Sequence, residues 1–307
     1  MTKTPDDFPP CAVCESLNWI VVHSGPIRDG AFGAWRDTTV CRCSGCGVDR
    51  VAESACLQYD SYQTVEYREN LKQDHEAANH NAAHDELARF TLDALWPTSM
   101  RGKIVADVGC GGGALLDHVR GLASCIVAID PSLPFSDSLK ARGYAWYPDI
   151  RSATCDFAGK VDIVLSTQVI EHVDNPHAFL ADIVEILKPD GIAVVSTPNR
   201  CDVLMEMLPD SFPAFFYRTQ HRWAFDAASL SHCAQRAGLV VSEVKHVHRY
   251  GIANTMNWLK EGKPRGRAAM APLDDAIDKH WQAWLEANGR ADNLYVVLKR
   301  ASTGNLS

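Results

Sequence analysis

Between residues 101 and 200 the chain alternates short apolar runs with amphipathic stretches. Lys103-Ile104-Val105-Ala106-Asp107-Val108 is an apolar run that ends at a glycine cluster, the pattern of a strand buried on both faces. Leu115, Leu116, Val119 and Leu122 then recur at helical spacing. Residues 125–129 and 161–166 read as two further strands. After the second of these, Asn175 predicts an N-cap and Pro176 the first helical position. Phe179, Leu180, Ile183, Val184 and Leu187 form one apolar helix face, and Pro189-Asp190-Gly191 predicts its stop. Residues 192–196 are the next strand. Strands alternating with helices predict an α/β fold with a parallel sheet covered on both faces.

The flanks are patterned differently. Residues 1–60 are irregular and rich in cysteine. Residues 61–100 are polar with Leu87, Phe90, Leu92 and Leu95 as apolar anchors, which predicts a helical connector ended by Pro97. Residues 101–307 form the main domain. Two late strands are expected at 239–244 and 293–298. The stretch between them, with Trp258, Trp281 and Trp284, is too long for a structureless loop. It reads as a helical insertion at about 251–291 lying over the sheet's ligand edge. A second helical and aromatic insertion is expected at about 201–225.

Composition narrows the function classes. In a chain of 307 residues, 46% hydrophobic content allows a sizeable core. A net charge of −8 repels phosphate backbones, so no nucleic-acid partner is expected. No apolar run approaches the length of a membrane span. Met1 to Asp7 carry no apolar signal core, so a cytoplasmic location is expected. In a reducing compartment, eleven cysteines are metal ligands or buried apolar residues rather than disulfides.

Asp107-Val108-Gly109-Cys110-Gly111-Gly112-Gly113 joins the first strand of the main domain to its first helix. Positions without a side chain let the backbone turn sharply and approach a ligand closely. Asp130 ends the next strand, where a carboxylate accepts the hydrogen bonds of a ribose diol. Gly109-x-Gly111-x-x-Ala114 also fits a variant nucleotide fingerprint. Asp107 separates the two readings: it opposes a pyrophosphate and suits the cationic amino-acid end of S-adenosylmethionine (SAM). The stretch resembles the SAM-binding loop of class I methyltransferases. Ser166-Thr167-Gln168-Val169-Ile170-Glu171-His172-Val173 is similar to the post-strand-4 signature of the ubiquinone-biosynthesis type. Leu187-Lys188-Pro189-Asp190-Gly191 with Thr197-Pro198-Asn199 resembles the strand-5 region. The resemblance covers about residues 100–245. It implies a Rossmann-like, mostly parallel sheet with an antiparallel C-terminal hairpin. It implies SAM contacts from Asp107, Gly109, Cys110, Gly111, Gly113, Asp130, Pro131, Gln168 and Glu171, with adenine near Asp149 and Ile150.

Cys11-x-x-Cys14 and Cys43-x-x-Cys46 are two knuckle-like pairs separated by 28 residues. Four thiolates close a tetrahedral zinc site with no open position, so a structural zinc ion is expected. Cys41 lies two residues before Cys43 and could replace one ligand. The cluster resembles the N-terminal zinc module of sugar and natural-product methyltransferases.

Methyl transfer to a hydroxyl calls for a base, and histidine is poised near neutral pH. His172 and His221 are the candidates. Arg218 and Arg222 suit an anionic acceptor such as a phosphate or carboxylate, and His246, His248, Arg249 and Tyr250 could join them. The function expected is SAM-dependent O-methylation of a small molecule: a sugar, nucleotide sugar, lipid precursor or secondary metabolite. A zinc-containing RNA methyltransferase, a nucleotide-dependent oxidoreductase and a non-catalytic SAM-fold scaffold are the rivals.

Overall fold

The computed structural model describes residues 8–30, 32–64, 76–95 and 98–301. In chain order its strands are Trp19–Arg28 (β1), Trp35–Cys43 (β2), Asp49–Val51 (β3), Ile104–Val108 (β4), Cys125–Ile129 (β5), Ala145–Tyr147 (β6), Val161–Thr167 (β7), Leu187–Pro198 (β8), Trp223–Ala224 (β9), Leu239–Val247 (β10) and Asn293–Arg300 (β11). The large sheet runs β10-β11-β8-β7-β4-β5-β6. Its β6, β5, β4, β7 and β8 are parallel, and β11 lies antiparallel to both β8 and β10. This is the expected sheet with its C-terminal hairpin. The near-continuous apolar runs are explained by cover on both faces: Val105, Ala106, Val127, Ala128, Val164 and Leu165 are fully buried. The strand order reverses at β4, between β5 and β7. The crevice beyond the carboxyl ends of β4 and β7 is therefore where a ligand fits.

Helices cover the sheet: Ala77–Leu95 (α1), Ala114–Val119 (α2), Leu133–Ala141 (α3), Ile150–Phe157 (α4), Pro176–Ile186 (α5), Val203–Met207 (α6), Phe212–Phe216 (α7), Ala227–Arg236 (α8), Ile252–Glu261 (α9) and Asp275–Ala287 (α10). Asn175 caps α5 as expected, accepting from the Ala178 N–H at 3.0 Å. The far end of that helix corrects the sequence reading. α5 stops at Ile186, and Leu187 is already extended, pairing with Val161 as the first residue of β8. Leu187 thus leaves the helix face for the strand. Gly191 lies within β8, where a Cβ would meet Leu187 Cδ1 at 2.9 Å and Val161 O at 3.0 Å. The expected helix end at Pro97, like the stretch 65–75 of the connector, lies outside the described residues. No helix among the described residues is long and apolar enough to cross a membrane.

The cysteine-rich strands form a second sheet, β1-β2-β3-β9. Its last strand, β9, comes from the 201–225 segment, so the large domain completes the small sheet. Buried polar groups tie the two together. Asp49, fully buried, accepts from Arg42 at 2.6 Å and from the Tyr217 hydroxyl at 2.8 Å. Arg236 on α8 donates to the Val13 carbonyl at 2.6 Å. Cys11, Val13, Trp19, Cys43 and Val48 share one continuous apolar core with Leu230, Cys233 and Ala234 of α8 and with the β4 and β8 interior.

Candidate functional site

The glycine loop leaves β4 and caps α2. Gly109, Gly111 and Gly113 have φ of 79°, 52° and 85°, the left-handed region that favours glycine. Space is as restrictive as conformation. A Cβ on Gly109 would lie 2.2 Å from Val169 Cγ2, and one on Gly111 would lie 2.8 Å from His80 Nε2. Asp130 shapes the loop from the next strand, accepting from the Gly111 N–H at 2.7 Å and the Ser132 N–H at 2.8 Å. Burial, with Asp130 as a smaller cause, pushes the Asp107 carboxyl up to about 8. Gln168 follows β7 with φ 57°, a conformation a side-chain-bearing residue rarely adopts, and its amide donates to Asn293 Oδ1 at 3.0 Å.

These groups open on a cavity of about 1020 Å³. Asp107, Gly109, Cys110, Gly111, Asp130, Pro131, Asp149 and Gln168 all line it. Gly113 does not; it sits behind the loop against Leu139. Glu171 also lies behind the wall, fully buried, and burial pushes it up to about 7. Asp149 lies on the lining beside Ile150 while capping α4 through the Ser152 N–H at 2.7 Å.

The same cavity is also lined by both candidate histidines. The rings of His172 and His221 stand edge to face, 4.7 Å between centroids. The Gln220 carbonyl lies 2.6 Å from His172 Nδ1 and accepts the Tyr62 hydroxyl at 3.1 Å. With Nδ1 held by that carbonyl, His172 Nε2 faces Glu171 Oε1, 3.9 Å away. Burial first, then the charges of Arg218, His172 and Arg28, hold His221 well below the ordinary imidazole range. One ligand atom each from Glu171, His172 and His221 lie within 4.8 Å of one another. The aromatic rings of Phe212, Phe215 and Trp258 form the apolar roof, with Trp258 edge-on to both phenyl rings at 5.0 and 4.7 Å. The expected insertion thus delivers α9 over the ligand edge, while Trp281 and Trp284 stack on each other away from the cavity.

Two expectations on this side fail. Arg222 does not line the cavity; it is buried and paired with Glu53 and Asp174, tying β9 to the small sheet. His246 is likewise absent from the lining, whereas His248, Arg249 and Tyr250 are on it. Sequence reasoning missed Arg28, Tyr62, His80 and His84, which come from the small sheet, the segment after it and α1. No local motif surrounds any of them.

Cys11, Cys14, Cys43 and Cys46 converge, all four sulfurs within 4.8 Å of one another. Glu15 and Gly47 adopt left-handed φ of 65° and 79° in the two knuckles, and Gly45 donates its N–H to Cys43 Sγ at 3.4 Å. A Cβ on Gly45 would lie 2.9 Å from Cys14 Sγ, so glycine is what lets the knuckles close. Cys41, on β2, stays outside this set. Its side chain is buried, and burial pushes its thiol up to about 11.

Comparison with known proteins agrees with this geometry. The sequence model of the methyltransferase-domain family matches residues 78–244. The chain is 37% identical over 121 residues to the ubiquinone biosynthesis O-methyltransferase of Caulobacter vibrioides, a match covering 37% of this chain and 48% of that protein. The Rhodopseudomonas palustris protein of the same name is 29% identical over 173 residues, covering 50% of this chain and 65% of its own. The chain spans about half the length of the first of these relatives. Among solved structures, a SAM-dependent methyltransferase of Archaeoglobus fulgidus aligns with TM-score 0.50 at 14% identity, covering 76% of this chain and 98% of that one. A structure of the Haloferax volcanii Trm112 methyltransferase activator in complex with a methyltransferase aligns with TM-score 0.51 at 18% identity, over 74% of this chain and 96% of that one. At such identities the likeness to the two structures is one of fold. With more than half of its length matched by the family, the chain belongs to the methyltransferases and is built on their class I, SAM-dependent fold.

Proposed function

We propose that the chain transfers a methyl group from SAM to a hydroxyl oxygen of a small molecule. The observation that carries this reading is that a single cavity is lined by both the glycine loop and the His172–His221 pair. The loop fits the cofactor: its glycines clear the space a Cβ would fill, Asp130 stands where a ribose diol binds, and buried Asp107 suits a cationic ammonium. Asp149 and Ile150 would border the adenine. When bound, SAM supplies a methyl carbon made electrophilic by its sulfonium, so the protein's own part is alignment and proton removal. His221, kept neutral by its surroundings, accepts the hydroxyl proton. His172, oriented by the Gln220 carbonyl, holds the second imidazole in place beside it. Glu171 supports the pair from behind the wall.

Cys11, Cys14, Cys43 and Cys46 would hold one structural zinc ion, whose role is to clamp a small sheet with little core of its own. Metal analysis of protein purified without chelator is expected to give one zinc per chain; a value near zero rules the module out. Cys11→Ser is expected to loosen the small sheet first.

A second reading has one observation behind it: the carboxylate and two imidazoles within 4.8 Å also form a donor set for a divalent ion. Turnover lost on dialysis against a chelator and regained with Fe²⁺, at constant zinc content, would favour it over a histidine base. Calorimetry with SAM, its demethylated product S-adenosylhomocysteine (SAH), and NAD tests the main reading. Binding of SAM and SAH is expected. Binding of NAD in their place overturns it.

A further inference from the structure

We propose that Arg28 and Arg218 form a clamp for an anionic group on the acceptor, a phosphate or a carboxylate, and that the cysteine-rich sheet thereby takes part in choosing the substrate. The proposal rests on the reading of this cavity as the acceptor pocket.

Arg28 is the last residue of β1, and the chain of the large domain runs alongside it. The Arg28 N–H donates to the Tyr217 carbonyl at 3.2 Å, and the Thr219 N–H donates to the Arg28 carbonyl at 3.0 Å. These bonds set Arg28 directly against Arg218 as parallel bridge partners. Both arginines line the cavity. Like charges opposed across a bridge repel, and more strongly where water is scarce. Burial, and next the charge of Arg218, push the Arg28 guanidinium down to about 9. No carboxylate among the described residues relieves Arg28. Its neighbour Asp29 is engaged elsewhere, accepting the Thr219 hydroxyl at 2.7 Å and pairing with Arg36 at 3.4 Å. Phe215 lies under the guanidinium, 4.2 Å from ring centroid to Cζ, and braces its plane.

The other arginines nearby are arranged differently. Arg249, also on the cavity lining, is neutralised by Asp292 at 2.7 Å. Arg222 is paired with Glu53 and Asp174. Arg28 alone of these three carries its charge into the cavity without a carboxylate partner among the described residues. Two opposed guanidiniums become favourable when an anion sits between them, because planar forks grip a carboxylate or phosphate through two parallel hydrogen bonds each.

The test uses the full chain with SAH bound, titrated by calorimetry with inorganic phosphate and, separately, with malonate. Wild type is expected to bind at least one of the two, and which one names the class of anion. Arg28→Met is expected to weaken that binding by on the order of tenfold or more, and Arg28→Lys by less, since lysine keeps charge but not the fork. SAH affinity should stay unchanged in both variants, which shows that they are folded and that the cofactor half is intact. Binding of neither anion by wild type, or equal anion affinity in wild type and Arg28→Met, overturns the clamp. Should Arg28→Met lose SAH as well, Arg28→Lys decides in its place, with anion affinity equal to wild type counting against the clamp. Failure of wild type to bind SAH contradicts the methyltransferase reading instead and leaves the anion result to stand separately.

Discussion

The two halves of the cavity are built in opposite ways. The cofactor half comes mainly from the ends of neighbouring parallel strands: Asp107 to Gly111 after β4, Asp130 and Pro131 after β5, and Gln168 after β7. Its groups are held by backbone hydrogen bonds and by glycines that admit no side chain. The acceptor half is assembled from distant pieces: Arg28 of the small sheet, Tyr62, His172, Arg218, His221, and Trp258 of α9. Its groups are held by bonds between distant segments, such as those of Arg28 with Tyr217 and Thr219 and of His172 with the Gln220 carbonyl. The difference teaches how a locally built site and a convergent one can share a scaffold. A local turn reproduces the same shape in many chains, whereas a convergent wall can be rebuilt one segment at a time.

Removing the imidazole of His221 makes the sharpest cut between the halves. His221→Ala is expected to lower turnover by roughly 10²–10⁴-fold if it is the general base, with SAH affinity unchanged. Steady-state rates with an acceptor, paired with calorimetry, check both statements. An equal loss in His172→Ala with none in His221→Ala would exchange the roles of the two rings. A loss of SAH affinity in His221→Ala would dissolve the division altogether.

The next largest effect belongs to the other half. Asp130→Ala is expected to weaken SAH binding by on the order of 2–4 kcal/mol, through loss of charge-assisted hydrogen bonds to the ribose. Part of that loss is the loop itself, since Asp130 also holds the Gly111 and Ser132 N–H groups. Arg28→Lys, already folded into the clamp test, serves as the control: a residue of the acceptor half should leave SAH affinity where it was. Binding unchanged in Asp130→Ala would mean that the ribose is not held there.

Legibility in the sequence follows the same division. The apolar runs of β4, β5, β7 and β8 announce the parallel sheet because each is buried on both faces. The glycine loop is readable because steric demand acts within a few residues of chain. The cysteine pairs are readable because a knuckle is likewise local. Arg28 carries no such mark: its role arises from a bridge to Arg218, which spacing along the chain cannot reveal. Arg222 misleads for the same reason. It lies in a segment rich in aromatic and basic residues, and only the fold shows that its side chain is buried and paired with the more exposed Glu53 and Asp174. The end of α5 was misread because Leu187 fits the helix period, while its pairing with Val161 prevails.

A further expected effect concerns Asp107 and the pH. Burial, with Asp130 second, raises its carboxyl from the ordinary 3.8 to about 8. The folded chain therefore keeps a proton through a window in which the unfolded chain has lost it. Stability from this group is fully present below about pH 4 and is lost progressively as pH rises to about 8, because the native state binds more protons. Denaturant titrations of wild type and Asp107→Asn across that window are expected to converge at low pH and diverge at high pH, with the asparagine variant relatively more stable. Cofactor binding adds a second readout. A cationic ammonium beside Asp107 favours the carboxylate, so binding of SAH at pH 7 should release a proton. Affinity should rise from pH 6 towards 8 by at most about tenfold per unit. Calorimetry in buffers of different ionisation heat measures the release directly, and Asp107→Asn should abolish it. An SAH affinity that is flat from pH 6 to 8 in wild type would show that Asp107 does not face the ammonium. A pH dependence that moves turnover but not SAH affinity would place the titrating group in the histidine half instead.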